Sequence, residues 1–307
     1  MHEILVTEPE YLDNDAIEAL EKIGHVTAKR MPRAELERII PQIDVLFIRV
    51  DTKVDAALME KAKNLKIVGS VTTGLNHVDL DYAAKHGIKV VNLHGTHTIS
   101  TAQHAFALLL SLCRNIPWAY DNLRAGRWER YKFIGTELEG KTLGIIGVGR
   151  IGSQVATYAK TFGMKTVAYD PYAKPGEVPL VGSVDELLKQ ADVVTIHAML
   201  TNETRGLIGA KQLAEMKKGA LLINTARAEI VDQAALLQAL DSGQLGGAAF
   251  DVFIKEPVES KEDPMVKYAI DHKNLIITPH IGASTKEAAH AACLEIAGSI
   301  EKELNGA

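Results

Sequence analysis

Lys141–Asp170 reads KTLGIIGVGRIGSQVATYAKTFGMKTVAYD, and no other stretch restricts the fold as sharply. An apolar run of strand length, Leu143–Ile146, is followed at once by Gly147, Gly149 and Gly152 in the spacing G-x-G-x-x-G. Val155, Ala156 and Ala159 continue at helical spacing, and a second apolar run, Thr166–Tyr169, ends in Asp170. Strand, glycine turn, helix, strand and terminal acid in this order form a dinucleotide-binding fingerprint. Gly147 permits the tight turn, Gly149 lets backbone approach a pyrophosphate, and Gly152 permits close helix–strand packing. A helix starting near Arg150 aims its unpaired N–H groups and positive dipole end at the phosphates. Asp170 stands where a carboxylate accepts hydrogen bonds from both ribose hydroxyls of NAD. It would repel the 2′-phosphate of NADP, so NAD is the expected cofactor.

Strand and helix patterns alternate before this segment. Ile4–Thr7, Val45–Ile48, Lys66–Val71 and Val90–Leu93 read as strands. Ala16–Ile23, Ala34–Ile40, Ala56–Ala62 and Leu80–Lys85 read as helices between them. This alternation predicts an open parallel sheet covered on both faces, without a glycine fingerprint after its first strand. A long helical stretch from Thr98 to about Arg114, extending on toward Leu123, follows and is positioned to bridge two domains. Beyond Asp170, strands are expected at Val193–His197, Leu221–Asn224, Ala248–Val252 and Leu275–Thr278. With the two strands of the fingerprint they make six, the number in a complete dinucleotide-binding domain. The final helix, Lys286–Leu304, carries Ala289, Cys293, Ile296 and Ile300 on one face and is expected to return to the first domain. The expected division is 1–98 plus 286–307 for one domain and 99–285 for the inserted cofactor domain.

Composition narrows the function classes. The 307 residues suffice for two domains of ordinary size, and 47% apolar with 24% charged residues is a globular balance. A net charge of −5 offers no general attraction to nucleic acid or anionic membrane. The longest apolar stretch, Ala105–Cys113, is too short to span a bilayer, and MHEILVTEPEY lacks a signal-peptide pattern. Cys113 and Cys293 lie in apolar helical contexts and read as buried thiols of a cytoplasmic protein rather than metal ligands, so no metal is expected.

Three later segments place reactive residues at strand ends. In LLINTARAEIVD, Arg227 stands just beyond a strand, where its guanidinium suits a carboxylate and an adjacent carbonyl oxygen; a lone arginine there is more often a surface residue leading into a helix. In AAFDVFIKEP, Asp251 ends a strand and Glu256 follows in a loop; a lone loop glutamate is ordinarily solvated. In LIITPHIGAS, His280 leaves a strand end ahead of Gly282; alone it is as readily a structural histidine. Together they bring Arg, Glu and His to the sheet edge where ligands bind in open α/β folds. Histidine is the side chain best poised for proton transfer near neutral pH, and a neighbouring carboxylate stabilises its imidazolium.

GVGRIG with Asp170, TARAEIVD, FDVFIKEP and TPHIGAST, in this order and nearly end to end, resemble the D-isomer-specific 2-hydroxyacid dehydrogenase family. The resemblance extends to SVTTGLNHVDL, Ser70–Leu80. It implies an α/β protein of two open parallel-sheet domains hinged around a cleft. A Rossmann NAD-binding domain would be inserted in a flavodoxin-like substrate domain, usually as a homodimer with the helix after residue 97 supplying much of the contact. It implies His280 as acid/base, Glu256 as its partner, and Arg227 on the substrate carboxylate and keto oxygen. Backbone amides of Thr73 and Gly74 would grip the carboxylate. Arg150 and Ile151 would lie along the pyrophosphate and Ala198 near the adenosine. Asp251 with Thr225–Ala226 would stand at the nicotinamide end, Thr73, Gly282 and Ala283 also contributing to the cofactor site. Ala228, Met199 and Gln103 depart from the usual Gly, Pro and Glu, and Pro257–Asn274 is longer than usual.

IRVDTKVD and NTARAEIVD are most similar to the 3-phosphoglycerate dehydrogenase branch. There Arg49 and Lys53 stand where they would hold a substrate phosphate, or are ordinary surface cations. The expected partner is a small anionic 2-hydroxy or 2-oxo acid. Glyoxylate or hydroxypyruvate reduction is an alternative, as is a non-catalytic NAD-sensing interaction protein on the same fold.

Overall fold

Short runs of β-branched residues between amphipathic helices build two parallel sheets. The computed structural model describes residues 1–93, 95–258 and 261–306, in two units: Met1–His97 with Ser284–Ala307, and Thr98–Ala283. In the first unit, β1 (His2–Val6), β2 (Gly24–Ala28), β3 (Val45–Ile48), β4 (Ile67–Ser70) and β5 (Lys89–Asn92) run in the order β2-β1-β3-β4-β5. All neighbours are parallel. This is the flavodoxin-like order, in which the chain reverses its direction of winding between β1 and β3. Side chains alternate across the sheet. Leu5, Leu46, Ile48 and Val68 pack with residues of α2 (Arg33–Ile39), α3 (Ala56–Lys61) and α4 (Leu80–Lys85), whereas Ile4, Val6, Val45, Phe47 and Ile67 pack on the other side with α1 (Asn14–Glu21). Strand β2 was not expected from the sequence. Only its first residue is buried, so GHVTA has no alternating apolar signal, and its backbone ladder to β1 defines it.

The second unit contains β6 (Thr142–Ile146), β7 (Lys165–Tyr169), β8 (Val193–Ile196), β9 (Ala220–Asn224), β10 (Leu245–Phe250) and β11 (Leu275–Ile277), ordered β11-β10-β9-β8-β6-β7. The expected six strands are present, but they are not a complete set in the sense anticipated. A parallel bridge from Ala168 to Leu180 lies beyond β7, with Ala168 N donating to Pro179 O at 2.8 Å and Val181 N to Ala168 O at 2.9 Å. Counting that bridge as a rudimentary third strand restores the 3-2-1-4-5-6 dinucleotide order, and β11 is then an additional strand. The segment reads as loop because one bridging residue carries no periodicity.

Helices α5 (Thr98–Cys113), α6 (Ile116–Arg124) and α7 (Arg150–Thr161) come first in this unit. They are followed by α8 (Val184–Gln190), α9 (Ala210–Glu215), α10 (Gln233–Asp241) and α11 (Pro264–Asp271). Helix α5 belongs to the second unit, where Ala105, Phe106, Leu109 and Leu112 are buried with Leu143, Ile145, Val155 and Ala249. The helical stretch breaks at Asn115, which adopts φ +55°. Beyond the break, Ile116, Tyr120, Leu123, Trp128, Tyr131 and Ile134 are exposed. Helix α11 also went unread, although Asp263 caps it and Pro264 opens it, because Met265 is its one fully buried residue.

The last helix, α12 (Lys286–Leu304), belongs to the first unit. Ala292, Cys293, Ile296, Ala297 and Ile300 join Ile4, Val6, Phe47 and Ile67 in one core cluster. Gly69 on β4 makes room for it, since a Cβ there would sit 2.7 Å from Ile300 Cδ1 and 2.8 Å from Ile296 Cγ2. Burying each of these isoleucines stabilises the unit by about 1.5–3 kcal/mol. Cys113 and Cys293 are both buried, and burial pushes each thiol up to about 11. No helix among the described residues is long and apolar enough to cross a membrane.

Candidate active site

The strand order of the second unit reverses between β6 and β8, the place where open α/β sheets bind ligands at their carboxyl ends. Gly147 lies there with φ +88°, and a Cβ on it would come within 2.8 Å of Ala198 N and of the His197 carbonyl carbon. A Cβ on Gly152 would collide with the Gly147 carbonyl oxygen. The space before Gly149 is open instead. The three glycines therefore do different work: two permit packing inside the protein, and one leaves its outer face clear. Helix α7 begins at Arg150 with Gly149 as its N-cap and no side-chain hydrogen bond at that cap. Its first N–H groups and dipole end suit an anion. Arg150 is exposed and Ile151 half-buried at this end.

Asp170 follows β7. One carboxylate oxygen accepts from Val148 N in the glycine loop and the other from Tyr172 N, both at 3.0 Å. The acid thus braces the loop, and each oxygen retains capacity for a further donor. Ala198 is half-buried against Gly147.

At the end of β9, Asn224 is fully buried and holds the backbone of Ala226 and Arg227 in place. It donates to Arg227 O at 2.9 Å and accepts from Ala226 N at 3.0 Å. Arg227 Nη1 donates to Ala226 O at 2.7 Å, so both backbone groups of Ala226 have partners within the protein. Thr225 is buried, and its hydroxyl has no hydrogen-bond partner among the described residues. An orphaned buried hydroxyl at a sheet's ligand-binding edge is a group in need of a ligand. With the open face of Gly149 and the uncapped α7 terminus, it fits a bound dinucleotide.

Glu256 and His280 meet: Nδ1 of His280 is 2.6 Å from Oε2 of Glu256, while Oε1 of Glu256 accepts from Phe253 N at 2.8 Å. Donation of Nδ1–H to the carboxylate leaves Nε2 as the working nitrogen, and Nε2 has no partner among the described residues. The hydrogen bond donated to Glu256 raises the His280 pKa above its ordinary value; burial and the Arg227 charge oppose this, and the charges of Glu256 and Asp251 assist it. Burial pushes the Glu256 carboxyl up, but its bonds to His280 and Phe253 N and the charges of His280 and Arg227 bring it below the ordinary range. Arg227 is thus close enough for its charge to act on both.

His280 has φ +53°, a left-handed conformation that costs a non-glycine residue about 1–3 kcal/mol and persists only where its surroundings enforce it. Asp251 does so. It is 1% exposed and accepts from Thr278 Oγ1 at 2.5 Å, Ile281 N at 2.9 Å and Gly282 N at 2.7 Å. His104 of α5 lies 3.2 Å away through Nε2. Burial drives this carboxyl upward, yet the bonds from His104, Thr278 and Ile281 N outweigh it and hold the group charged. Asp251 and buried Gly282 accordingly clamp the His280 turn, with Ala283 half-buried beside them.

In the first unit, Thr73 is exposed and Gly74 half-buried in the loop after β4. Their carbonyls are tied back, Thr73 O to Asn92 Nδ2 at 3.0 Å and Gly74 O to Thr72 Oγ1 at 2.7 Å. Neither N–H has a partner among the described residues, which suits an anion. Arg49 is half-buried directly after β3, the neighbour of β4. Lys53 is exposed, its carbonyl accepting from Arg33 Nη1 at 2.9 Å.

The sequence reading overlooked Asn224, His104, Thr278 and Glu8. Asn224 closes an otherwise apolar strand, ALLIN, and His104 interrupts the apolar pattern of α5. A polar residue at a core position must find partners, and that was the available signal. Among the described residues no cluster of three or more His, Cys, Asp or Glu side chains could hold a metal ion.

Residues 106–282 match the NAD binding domain of the D-isomer specific 2-hydroxyacid dehydrogenases. The chain is 45% identical to the D-3-phosphoglycerate dehydrogenase of Methanocaldococcus jannaschii, over 100% of this chain and 58% of that protein. It is 40% identical to the hydroxypyruvate reductase of Thermotoga maritima, over 95% of this chain and 96% of that one. The structure of D-lactate dehydrogenase from Aquifex aeolicus, complexed with NAD and lactic acid, superposes with a TM-score of 0.82 at 30% identity, covering 99% of this chain and 96% of that. The chain spans just over half the length of the phosphoglycerate dehydrogenases it matches. It belongs to the D-isomer specific 2-hydroxyacid dehydrogenase family and carries that family's NAD-binding domain.

Proposed function

We propose that this member of the D-isomer specific 2-hydroxyacid dehydrogenase family interconverts a D-2-hydroxy acid and its 2-oxo acid with NAD as cofactor. The observation that carries the reading is the 2.6 Å contact of His280 with Glu256, on a turn clamped by Asp251. When bound, the nicotinamide supplies or accepts the hydride. In reduction, His280 Nε2 gives its proton to the keto oxygen; in oxidation it takes the hydroxyl proton. Glu256 holds Nδ1, orients the ring and stabilises the imidazolium. Arg227 offsets negative charge on the keto oxygen and pairs with the carboxylate, an electrostatic contribution that is largest where charge develops. Thr73 and Gly74 leave two unpartnered amides that suit a carboxylate.

The substrate we favour is 3-phosphoglycerate and its 2-oxo form, phosphohydroxypyruvate, with Arg49 on the phosphate. The 45% identity to a D-3-phosphoglycerate dehydrogenase supports this. Hydroxypyruvate reduction is the second reading, supported by the 40% identical hydroxypyruvate reductase. A rate screen of phosphohydroxypyruvate, hydroxypyruvate, glyoxylate and pyruvate with NADH and NADPH separates them. Tight NADH binding with no turnover of any of these would favour a non-catalytic sensor. We further propose a cytoplasmic homodimer. The two buried thiols are consistent with a reducing compartment, and exposed Ile116, Tyr120 and Leu123 with a self-association surface.

A further inference from the structure

The two units use their topological switch points in opposite ways. In the cofactor unit the crevice between β6 and β8 is left clear in front of Gly149. In the first unit, at the switch point between β1 and β3, a buried side chain instead ties the strand ends together. Glu8 follows β1, is 2% exposed, and reaches the loop after β3. Its Oε1 accepts from Arg49 N and Thr52 N, both at 3.1 Å, and from Thr52 Oγ1 at 3.0 Å; its Oε2 accepts from Asp51 N at 3.3 Å. Because the Thr52 hydroxyl spends its proton on Glu8, the 2.6 Å contact between Thr52 and Thr7 hydroxyls is donated by Thr7. Outside, Arg30 grips Asp51 Oδ2 through both terminal nitrogens at 3.0 Å. The backbone that carries Arg49 is therefore held from within by one carboxylate and from without by an ion pair.

Four donors converge on Glu8, and only a carboxylate accepts them all. An amide at this position has one acceptor oxygen and would turn an NH2 group toward an incoming N–H. A buried carboxylate beside an anion-binding residue opposes the anion, so what it contributes there is position. We propose that Glu8 is a positioning residue that fixes the backbone of Arg49 so that its guanidinium meets the distal anion of the substrate. This rests on the reading of Arg49 as a phosphate-binding residue.

The test is a KM comparison with two substrates, phosphohydroxypyruvate and hydroxypyruvate, which lacks the distal phosphate. Glu8→Gln is expected to raise KM for phosphohydroxypyruvate about tenfold, with a smaller change in kcat and none in KM for NADH. KM for hydroxypyruvate should change little. In an Arg49→Ala background the Glu8→Gln effect should vanish, since a residue acting through Arg49 has nothing left to position. Equal effects in both backgrounds, equal effects on both substrates, or no effect in a folded variant would overturn the proposal. If Glu8→Gln does not fold, Thr52→Val removes one of the four donors and should shift the same KM by about threefold, again only with Arg49 present. Arg49→Ala alone separates the two levels. Unchanged KM for phosphohydroxypyruvate there refutes the phosphate-binding role of Arg49 and the proposal with it, whereas a raised KM with an additive Glu8→Gln effect sinks only the role of Glu8.

Discussion

His280 Nδ1 lies 2.6 Å from Glu256 Oε2 while the backbone of His280 is held at φ +53°, so the ring is fixed at one nitrogen and the other is presented. Replacing His280 by Ala should lower kcat by about 10²- to 10⁴-fold, the usual contribution of a positioned acid/base. NADH affinity, followed by fluorescence titration, should stay close to that of the native protein. Turnover within tenfold of native would assign the proton to another group.

Glu256→Gln should move the pH dependence. The hydrogen bond and charge of Glu256 raise the His280 pKa, so their loss lowers it. Reduction needs the imidazolium and should therefore fall away at lower pH in the variant. Stability follows the same signs. The raised His280 pKa contributes below the unfolded value and is lost as pH rises through the folded one. The depressed Glu256 pKa contributes above its unfolded value and is lost as pH falls. The pair thus stabilises most between those limits. Superimposable kcat/KM profiles for native and variant would dissolve the pairing.

Asp170→Ala should relax the cofactor preference, improving kcat/KM with NADPH by about tenfold or more as one repulsive charge is removed. Val148 N and Tyr172 N lose their acceptor at the same time, so NADH binding should weaken as well. An unchanged NADH to NADPH ratio would place selectivity elsewhere.

Asp251→Asn should cost stability before chemistry. An amide cannot accept from Thr278 Oγ1, Ile281 N and Gly282 N as the carboxylate does, and an unmet buried donor costs about 1–3 kcal/mol. Urea unfolding should report that loss, and kcat should fall as the His280 turn loosens. A variant as stable as native would mean the clamp is dispensable.

Gly152→Ala should abolish tight NADH binding, because the added Cβ strikes the Gly147 carbonyl oxygen and the turn must move. Gly149→Ala is a useful contrast: it meets no protein atom, so it should fold normally and lose affinity only for the dinucleotide. Equal thermal destabilisation of both would argue against separate roles.

The features legible in the sequence were those with periodicity or fixed spacing. The glycine turn, the buried strands Val45–Ile48 and Val193–Ile196, and α12 with its apolar face all announce themselves in this way. Strand β2 and the Leu180 bridge did not, because a backbone ladder at a sheet edge places little demand on side chains. The reactive trio stood at strand ends and was visible as such. Of the residues that brace functional backbone, Asp251 was marked only by its place at a strand end, and Asn224 and Glu8 were not singled out at all. Asn224, Asp251 and Glu8 act by accepting backbone N–H groups from residues chosen by the three-dimensional fold, and their partners carry no mark in the sequence. An acid next to a strand reads as solvated until the strand's neighbours are known.

The placement of α12 has a consequence for how the chain comes off the ribosome. All five strands of the first sheet have been made once Asn92 emerges, yet the face formed by Ile4, Val6, Phe47 and Ile67 waits for Ala292, Ile296 and Ile300 to cover it. At about 5–20 residues per second, the intervening Thr98–Ala283 takes roughly ten to forty seconds to synthesise, long enough for that unit to fold first. The nascent chain therefore spends that interval with an apolar, half-roofed sheet. Transiently uncovered apolar surface of this kind is where a folding chain is most prone to stick to others.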